Sequence, residues 1–321
     1  MTTRPELLTD AFRAMSARLG QDPLQVQGPG GNTSIKGGGV MWIKASGTEL
    51  ANAERQQIFV AVDHAAARAE ANGAGDGSCK STGLDPAVTL RPSIETTFHA
   101  ALNHAVVAHT HSVATLTHAI SPEGRVAARD KLAGLPFVMV PYAKPGLPLT
   151  REIMARVTEE TRIVILQNHG LLCFGPTVEE VSATIAEVES RLAMVPRGVE
   201  QGDQGDAPEG FSWAPESWIA GDTRASKLAL AGSYYPDHVV FLGPRLPQGD
   251  HDGNPPAILR DEGVLLRDDA TDAQRAMLTC LSDVFRRLPE DWSAEPIGEE
   301  AEAELLDWDA EKYRQALAAR A

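Results

Sequence analysis

The chain of 321 residues carries a formal net charge of −15 and contains 43 % hydrophobic residues, as is typical of a globular protein with one or two cores. The acidic charge argues against a surface that binds nucleic acid or anionic lipid, and three widely separated cysteines offer neither a disulfide framework nor a cysteine zinc site. Because the N-terminus lacks an apolar signal core and no apolar run is long enough to span a bilayer, we expect a cytoplasmic protein with no membrane partner.

Hydrophobic periodicity predicts mixed helices and strands up to about residue 195. A helix is expected over 5–19, and three glycines at 37–39 turn between two predicted strands. The further predicted elements are a strand over 58–63 followed by a helix, a loop over 71–84, a helix opening near Ser93, a strand over 106–111, a helix from Val113, strands over 137–140 and 162–166 with a helix near 150–160 between them, and a helix over 177–195.

The composition changes after residue 195. Residues 196–216 are rich in glycine, proline and acids, which favours a linker or a long surface loop. Three short strands are then predicted in DHVVFLG, AILR and GVLLR, followed by helices over about 271–287 and 310–319. We therefore divide the chain into a core (1–195), a linker or surface loop (196–222) and a C-terminal extension (223–321) that packs on the core.

Two histidines one residue apart, His109 and His111, follow the apolar run of a predicted strand. Residues i and i+2 of a strand project to the same face, so these two imidazoles can share a metal ion. A catalytic metal site needs three protein ligands and an open position, and His169, directly after the buried run 162–166, is the natural third. A histidine in an apolar run can instead be a hydrogen-bonded core residue. For three others on predicted helices we expect packing or solvent contact: His99, His104 and His118.

Glu95 is a fourth candidate for the site. It lies in the first turn of a predicted helix that leads into the His-x-His strand, where an acid also interacts favourably with the helix dipole. Near a metal, a carboxylate can be a ligand in the resting site and can move a proton during turnover. The proton-transfer role requires a pKa above that of a solvated glutamate, which burial favours.

Five motifs, in chain order, resemble the class II aldolase/adducin family, which includes fuculose-phosphate and rhamnulose-phosphate aldolases. They are GGNTSIK, MWIKASGTEL, PSIETTFHAAL, VVAHTHS and QNHG. Two later segments, YYPDHVVFLGPRL and LLDWDAEKYRQAL, resemble the later part of the aldolase module in bifunctional rhamnulose-phosphate aldolase/alcohol dehydrogenases. Because we find no dinucleotide-binding GxGxxG motif, the resemblance is to the aldolase portion without the dehydrogenase domain.

This resemblance implies an α/β fold, a three-layer α/β/α arrangement around a mostly antiparallel sheet. It also implies a homo-oligomer, often a tetramer, with active sites at subunit contacts. By position, the family's metal ligands match His109, His111 and His169, and its catalytic acid/base matches Glu95. The positions that cradle the substrate's phosphate match Asn32, Ser46, Gly47 and Ser93. Zinc is the first candidate for the metal, and manganese, cobalt and nickel suit the same ligands.

The sequence departs from the family pattern in three places. The motif commonly has a second serine before the glutamate, and here that position is Ile94, so one phosphate contact is lost. Fuculose-type enzymes place a tyrosine from a neighbouring subunit near the site, but no tyrosine lies between His111 and Tyr142. Lys36 and Lys44 flank the anion site, where they either compensate for the missing serine or are solvated strand residues.

The expected activity is that of a divalent-metal-dependent aldolase, a lyase that acts on a ketose phosphate or related hydroxy-ketone through a metal-bound enediolate. A decarboxylase, an epimerase or a dehydratase could use the same site. A non-catalytic adducin-like binding module is the alternative of a different class, and retention of the three histidines speaks against it.

Overall fold

A seven-stranded sheet forms the centre of the computed structural model, which describes residues 2–249 and 254–319. Its strands follow the spatial order β3-β2-β1-β4-β7-β6-β5, and all neighbours are antiparallel except β5 and β6. The strands are β1 (Asn32–Gly37), β2 (Val40–Lys44), β3 (Phe59–Asp63), β4 (Val106–Thr110), β5 (Phe137–Val140), β6 (Ile163–Leu166) and β7 (Gly170–Gly175). The expected mostly antiparallel sheet is confirmed.

Helices cover both faces of this sheet, and further helices belong to the C-terminal part of the chain. Within the described ranges they are α1 (Asp10–Gln21), α2 (His64–Ala71), α3 (Thr96–Ala101), α4 (Val113–Ala119), α5 (Pro122–Lys131), α6 (Leu147–Met154), α7 (Val178–Leu192), α8 (Trp218–Gly221), α9 (Thr223–Ala231), α10 (Pro236–Leu242), α11 (Asp272–Arg287), α12 (Glu299–Leu306) and α13 (Asp309–Ala318). None of these helices combines the length and apolar character that crossing a bilayer requires.

The alternation of side chains along β4 shows how the layers are built. Val106 and Ala108 join an apolar cluster with residues of α1 and α7, whereas Val107 joins another with Phe98 of α3 and Ile153 of α6. Successive residues of a strand point to opposite faces, so β4 contributes to a core on each side of the sheet. The fold is the expected three-layer α/β/α arrangement.

The C-terminal residues have their own small sheet and share a core with α4. The sheet has the order β8-β10-β9, formed by β8 (Phe211–Trp213), β9 (Ala257–Leu259) and β10 (Val264–Arg267). Val113, Leu116 and Ile120, in and just after α4, pack in one apolar cluster with residues of α10 and α11. The C-terminal residues therefore lie against the helix that directly follows His111. The boundaries at residues 195 and 222 stay predictions.

Three sequence-based expectations differ from the structure. Residues 237–243 were expected to form a strand, but residues 237–242 belong to helix α10. The helix is buried throughout, and the short apolar run over 239–242 does not distinguish a helix from a strand. The helix expected over 5–19 is divided, because the Thr9 side chain caps α1 by accepting a hydrogen bond from the Phe12 amide. Helix α3 begins at Thr96, three residues after Ser93.

Candidate metal centre

Three adjacent strands, β4, β7 and β6, position the predicted histidines at one end of the strands, near the middle of the sheet. His109, near the end of β4, lies between Asn32 of β1 and Leu172 of β7 in the strand register. His111 directly follows β4, and His169 lies in the tight turn between β6 and β7. Because β4 and β7 are antiparallel neighbours, the end of one strand meets the beginning of the other.

The turn that carries His169 is held close to β4. Asn168 adopts a left-handed conformation with φ of 52°, and its side-chain amide donates to the carbonyl oxygens of Tyr234 at 3.0 Å and Glu295 at 2.7 Å. A Cβ atom on Gly170 would lie 2.3 Å from the Thr110 carbonyl oxygen, so only glycine allows this approach. His169 is therefore fixed beside the end of β4.

The three imidazoles form a buried cluster. The ring centroid of His109 lies 4.9 Å from the ring centroid of His111 and 4.9 Å from that of His169. The centroids of the His111 and His169 rings are 5.5 Å apart. One nitrogen from each ring lies within 4.8 Å of the other two, an arrangement that can hold a metal ion. The side chains are at most 6 % exposed, so water does not solvate them freely.

An acceptor lies beside the Nδ1 atom of two of the rings, by a hydrogen bond at His109 and at ion-pair distance at His111. His109 Nδ1 donates to the Leu171 carbonyl oxygen at 3.0 Å, and His111 Nδ1 lies 3.2 Å from Oδ2 of Asp237. Protons on these Nδ1 atoms leave each Nε2 with a lone pair, and the two Nε2 atoms face each other at 3.1 Å. Two nitrogens bound tetrahedrally to one zinc ion at about 2.0–2.1 Å would be separated by about 3.3 Å. The donor set therefore fits a divalent transition metal.

Glu95 lies against the same cluster. Its Oε1 is 3.3 Å from His169 Nε2 and its Oε2 is 3.5 Å from His109 Nε2. The Asn32 side-chain amide donates to Oε2 at 2.8 Å. Burial raises the pKa of Glu95, but the neighbouring histidines and Asn32 outweigh burial and hold this pKa below its usual value. The expectation of a raised pKa is wrong for this environment. The carboxyl is ionised at neutral pH, which is the form that can accept a proton, so a raised pKa is not a requirement for a base at this position.

Burial favours the neutral form of two of the imidazoles. It lowers the pKa of His109, although Glu95 opposes this shift, and it lowers the pKa of His169 to about 3. Only the neutral imidazole offers a lone pair to a metal, so both side chains are in the ligating form at neutral pH.

The four residues predicted to hold a phosphate line one cavity beside the cluster, together with His111, His169 and Glu95. They are Asn32, Ser46, Gly47 and Ser93. Ser93 Oγ accepts hydrogen bonds from the Asn32 side chain and the Glu95 amide, both at 3.2 Å. Ser46 Oγ is buried and has no hydrogen-bond partner within the described ranges. Ile94 also lines this cavity.

The two lysines expected near the anion site have different surroundings. Lys44 lines the cavity and donates to the carbonyl oxygens of Pro29 and Thr48, and burial lowers its pKa to about 7. Lys36 donates instead to the carbonyl oxygens of His99 and Leu102, at the C-terminal end of α3. It is buried and absent from the cavity lining, so both roles considered for Lys36 from the sequence are wrong.

The remaining predicted histidines pack as structural residues. His104 and His118 lie against the rings of Phe174 and Trp292. His99 has a more specific contact, since its Nε2 is bonded to Oδ1 of Asn32 and its Nδ1 to Ser34 Oγ at 2.7 Å. His99 thereby sets the orientation of the Asn32 amide.

Three charged residues from the C-terminal part also line the cavity, and no sequence motif points to them: Asp237, Glu311 and Arg314. Burial raises the pKa of Asp237, but Arg314 and His111 outweigh burial and hold this pKa far below its usual value. Burial raises the pKa of Glu311 to about 7 against the effect of Arg314. No spacing in the sequence links Asp237 of α10 to Glu311 and Arg314 of α13, and the segment of Asp237 was expected to be a strand.

The model of the Class II Aldolase and Adducin N-terminal domain matches residues 10–195. The chain is 31 % identical over 180 residues to a Bacillus subtilis (strain 168) protein named uncharacterized oxidoreductase YuxG; the match covers 50 % of this chain and 25 % of the relative, so the chain spans about a quarter of that relative's length. A Thermoplasma acidophilum structure, the N-terminal class II aldolase domain of a conserved protein, superposes with a TM-score of 0.51 at 28 % identity, over 57 % of this chain and 92 % of that one. With the family model matched over more than half of its length, the chain belongs to the class II aldolase and adducin family.

Proposed function

We propose that this chain is a divalent-metal-dependent lyase of the class II aldolase type, which cleaves or forms a C–C bond in a ketose phosphate or a related hydroxy-ketone. The proposal rests on one observation: the nitrogens of three histidines and the carboxylate of Glu95 converge beside a buried polar cavity. Neither packing nor solvation explains this convergence, because burying several polar groups that face one another is costly without a shared partner.

His109, His111 and His169 would hold the cation. When bound, a divalent cation supplies positive charge that stabilises the negative charge left on the substrate's carbonyl oxygen as the C–C bond breaks. Since three neutral ligands do not reduce the charge of the cation, this site suits that purpose. Zinc is our first candidate, and manganese, cobalt and nickel accept the same ligands.

Glu95 would move the proton. Its ionised carboxylate, oriented by Asn32, would accept a proton from the carbon that becomes nucleophilic in the synthetic direction. In cleavage the substrate's far hydroxyl loses its proton to a base as the C–C bond breaks, and Glu95 would deliver a proton to the carbon that the broken bond leaves. The carboxyl group is almost wholly buried, so solvent does not compete for this proton.

Ser46, Ser93 and the backbone at Gly47 would bind an anionic group of the substrate. The unpaired Ser46 hydroxyl is free to donate to such a group. The side chain of Ile94 offers no hydrogen bond to this group. That favours a substrate whose anionic group needs fewer hydrogen bonds than a terminal phosphate does. The same observation favours, as a second candidate, a decarboxylation, epimerisation or dehydration of an unphosphorylated substrate.

The test is a panel of donors and acceptors. Zinc-loaded protein is incubated with dihydroxyacetone phosphate or dihydroxyacetone and several aldehydes, and new C–C products are measured by NMR and mass spectrometry. We expect a product from at least one pair and its loss in Glu95→Gln protein that still binds zinc. Release of carbon dioxide or water without a C–C product, from matching acid substrates, would replace the aldolase proposal with the second candidate.

We also propose that the chain forms a homo-oligomer, with a tetramer as the expected state. This rests on the family to which the chain belongs. Light scattering of the purified protein measures the mass directly, and a monomer of 34.3 kDa would contradict the proposal.

A further inference from the structure

We propose that Asp237, held in place by Arg314, is a positioning residue of the metal centre that orients His111 so that Nε2 faces the cation. The inference rests on the metal site of the proposed function, but not on the reaction that the site performs. It assigns a role at the centre to residues beyond 10–195, the range that the family model matches.

Asp237 lies against His111 at ion-pair distance, and among the described residues Nδ1 of His111 has no hydrogen-bond partner of good distance and angle. Oδ2 of Asp237 lies 3.2 Å from Nδ1 of His111, and the two side chains are 2 % and 6 % exposed. A carboxylate at this nitrogen keeps the proton on Nδ1, so the lone pair lies on Nε2, on the side of His109 and His169. At His109 the Leu171 carbonyl oxygen has this role, because it accepts a hydrogen bond from Nδ1 and so keeps the proton on that nitrogen. Two of the three histidines thus have acceptors of different charge behind them.

Arg314 fixes the carboxylate from the opposite side. Its Nη1 lies 2.9 Å from Oδ1 of Asp237, and its Nη2 donates to Oδ2 at 3.2 Å, so both carboxylate oxygens are engaged. Nη1 also donates to Glu311 at 2.9 and 3.0 Å. Such two-point pairing restricts the rotation of a carboxylate more than a single contact does. Helix α13 therefore acts on the metal centre through Asp237 of α10.

Gly30 shows how tightly this pair is enclosed. A Cβ atom on Gly30 would lie 2.8 Å from His111 Nδ1 and 2.9 Å from Asp237 Oδ2. A methyl group at this position would touch both partners, and one of them would have to move. Three segments that are distant in sequence thus meet at one contact.

The principal experiment measures the affinity for zinc alone, by competition with a chromophoric chelator. Asp237→Asn removes the charge and turns an amide group towards Arg314. We expect its zinc affinity to fall by about 10- to 100-fold, the usual effect of removing such a partner of a metal-binding histidine. The matched control is Asp222→Asn, which removes another carboxylate paired with an arginine, Arg197, but does not contact the site. We expect unchanged zinc affinity in this control.

A second variant keeps the inference testable if Asp237→Asn does not fold. Gly30→Ala leaves every charge in place. Its Cβ would meet His111 Nδ1, Asp237 Oδ2 and the Gln27 carbonyl oxygen, so the contact between the two side chains should be disturbed and zinc binding should weaken. Imidazole nitrogen NMR of the zinc-loaded wild type should show His111 protonated at Nδ1. The tautomer of His111 distinguishes the two explanations. A positioning role of Asp237 fixes the proton on Nδ1, whereas a variant that only lowers the stability of the protein would leave the tautomer unchanged.

The outcomes separate this inference from the proposed function. Zinc bound by the wild type and by both variants with equal affinity, or His111 bound through Nδ1, would overturn the role of Asp237 alone. A wild type that binds no zinc would overturn the metal centre itself. Weaker binding in both variants, with an unchanged control, supports the inference whichever substrate the panel identifies.

Discussion

Asn32 donates a 2.8 Å hydrogen bond from its side-chain amide to Oε2 of Glu95, a residue 63 positions further along the chain. The orientation of this amide is set from its other end, because its carbonyl oxygen is bonded to His99 Nε2. The amide nitrogen consequently points at the carboxylate, and His99, which the sequence suggested was a packing residue, supports the candidate site indirectly.

Replacing Asn32 with alanine should lower turnover more than metal binding. The substitution removes a donor to an ionised carboxylate, which is worth about 1.5–3 kcal/mol and corresponds to about 10- to 100-fold in kcat if the contact matters in the transition state. The measurement is kcat on the substrate that the panel identifies, beside zinc affinity. Asn103→Ala, at an exposed position, is the control. Full turnover by Asn32→Ala would contradict the orienting role.

Ser46 offers a test of anion binding with little risk to the fold. Since its hydroxyl is buried without a partner in the described ranges, alanine removes no internal hydrogen bond. We expect Ser46→Ala to raise KM by about tenfold for an anionic substrate, from the loss of one hydrogen bond to a charged group, and to change KM little for an uncharged analogue. Equal effects on both substrates would mean that Ser46 does not bind the anion.

Gly47 tests how the C-terminal helix packs on the cavity. Its φ is +77°, and a Cβ atom there would lie 2.5 Å from Cδ1 of Leu317. Gly47→Ala should therefore lose about 1–2 kcal/mol of unfolding free energy from backbone strain and more from the overlap. Gly73 is the matched control, because its φ is +91° with no atom within 4 Å. Urea unfolding should show a larger loss at Gly47, and adding Leu317→Ala should recover the difference; equal losses at the two glycines would exclude the overlap.

His238 predicts a pH dependence of stability. Burial lowers its pKa from 6.5 to about 3, so the unfolded chain binds a proton at this residue that the folded chain does not. Stability therefore falls as the pH decreases below 6.5, and between about pH 7 and pH 5 this group should cost about 2 kcal/mol. Between about pH 7 and pH 5, the free energy of unfolding of His238→Gln should fall by about 2 kcal/mol less than that of the wild type. Urea unfolding of the metal-free protein measures this difference. Identical pH dependence in the two proteins would contradict the shift.

The parts of the site that follow local rules could be predicted from the sequence. His109 and His111 share a face because of the two-residue period of a strand. His169 was recognised because it directly follows the buried run 162–166. The structure brings these three together. The catalytic and anion-binding roles of Glu95, Ser46 and their neighbours stay predictions.

The parts that depend on tertiary closure could not be predicted. Asp237 and Arg314 are 77 residues apart, and no local pattern links them. Lys36 follows the same principle: its partners are carbonyl groups at the end of α3, which the strand pattern around it does not reveal. Apolar periodicity predicts which face of a segment is buried. It does not predict which charged side chains of another segment lie against that face.

The central claim is that three imidazoles hold one divalent cation beside Glu95. Crystals of protein purified without chelators, measured with anomalous diffraction at the absorption edges of zinc, manganese, cobalt and nickel, test it most directly. We expect one ion per chain, bonded to His109, His111 and His169 at about 2.0–2.1 Å if it is zinc. No ion at this position after soaking with each metal, or an ion bound elsewhere with these rings left free, would contradict it.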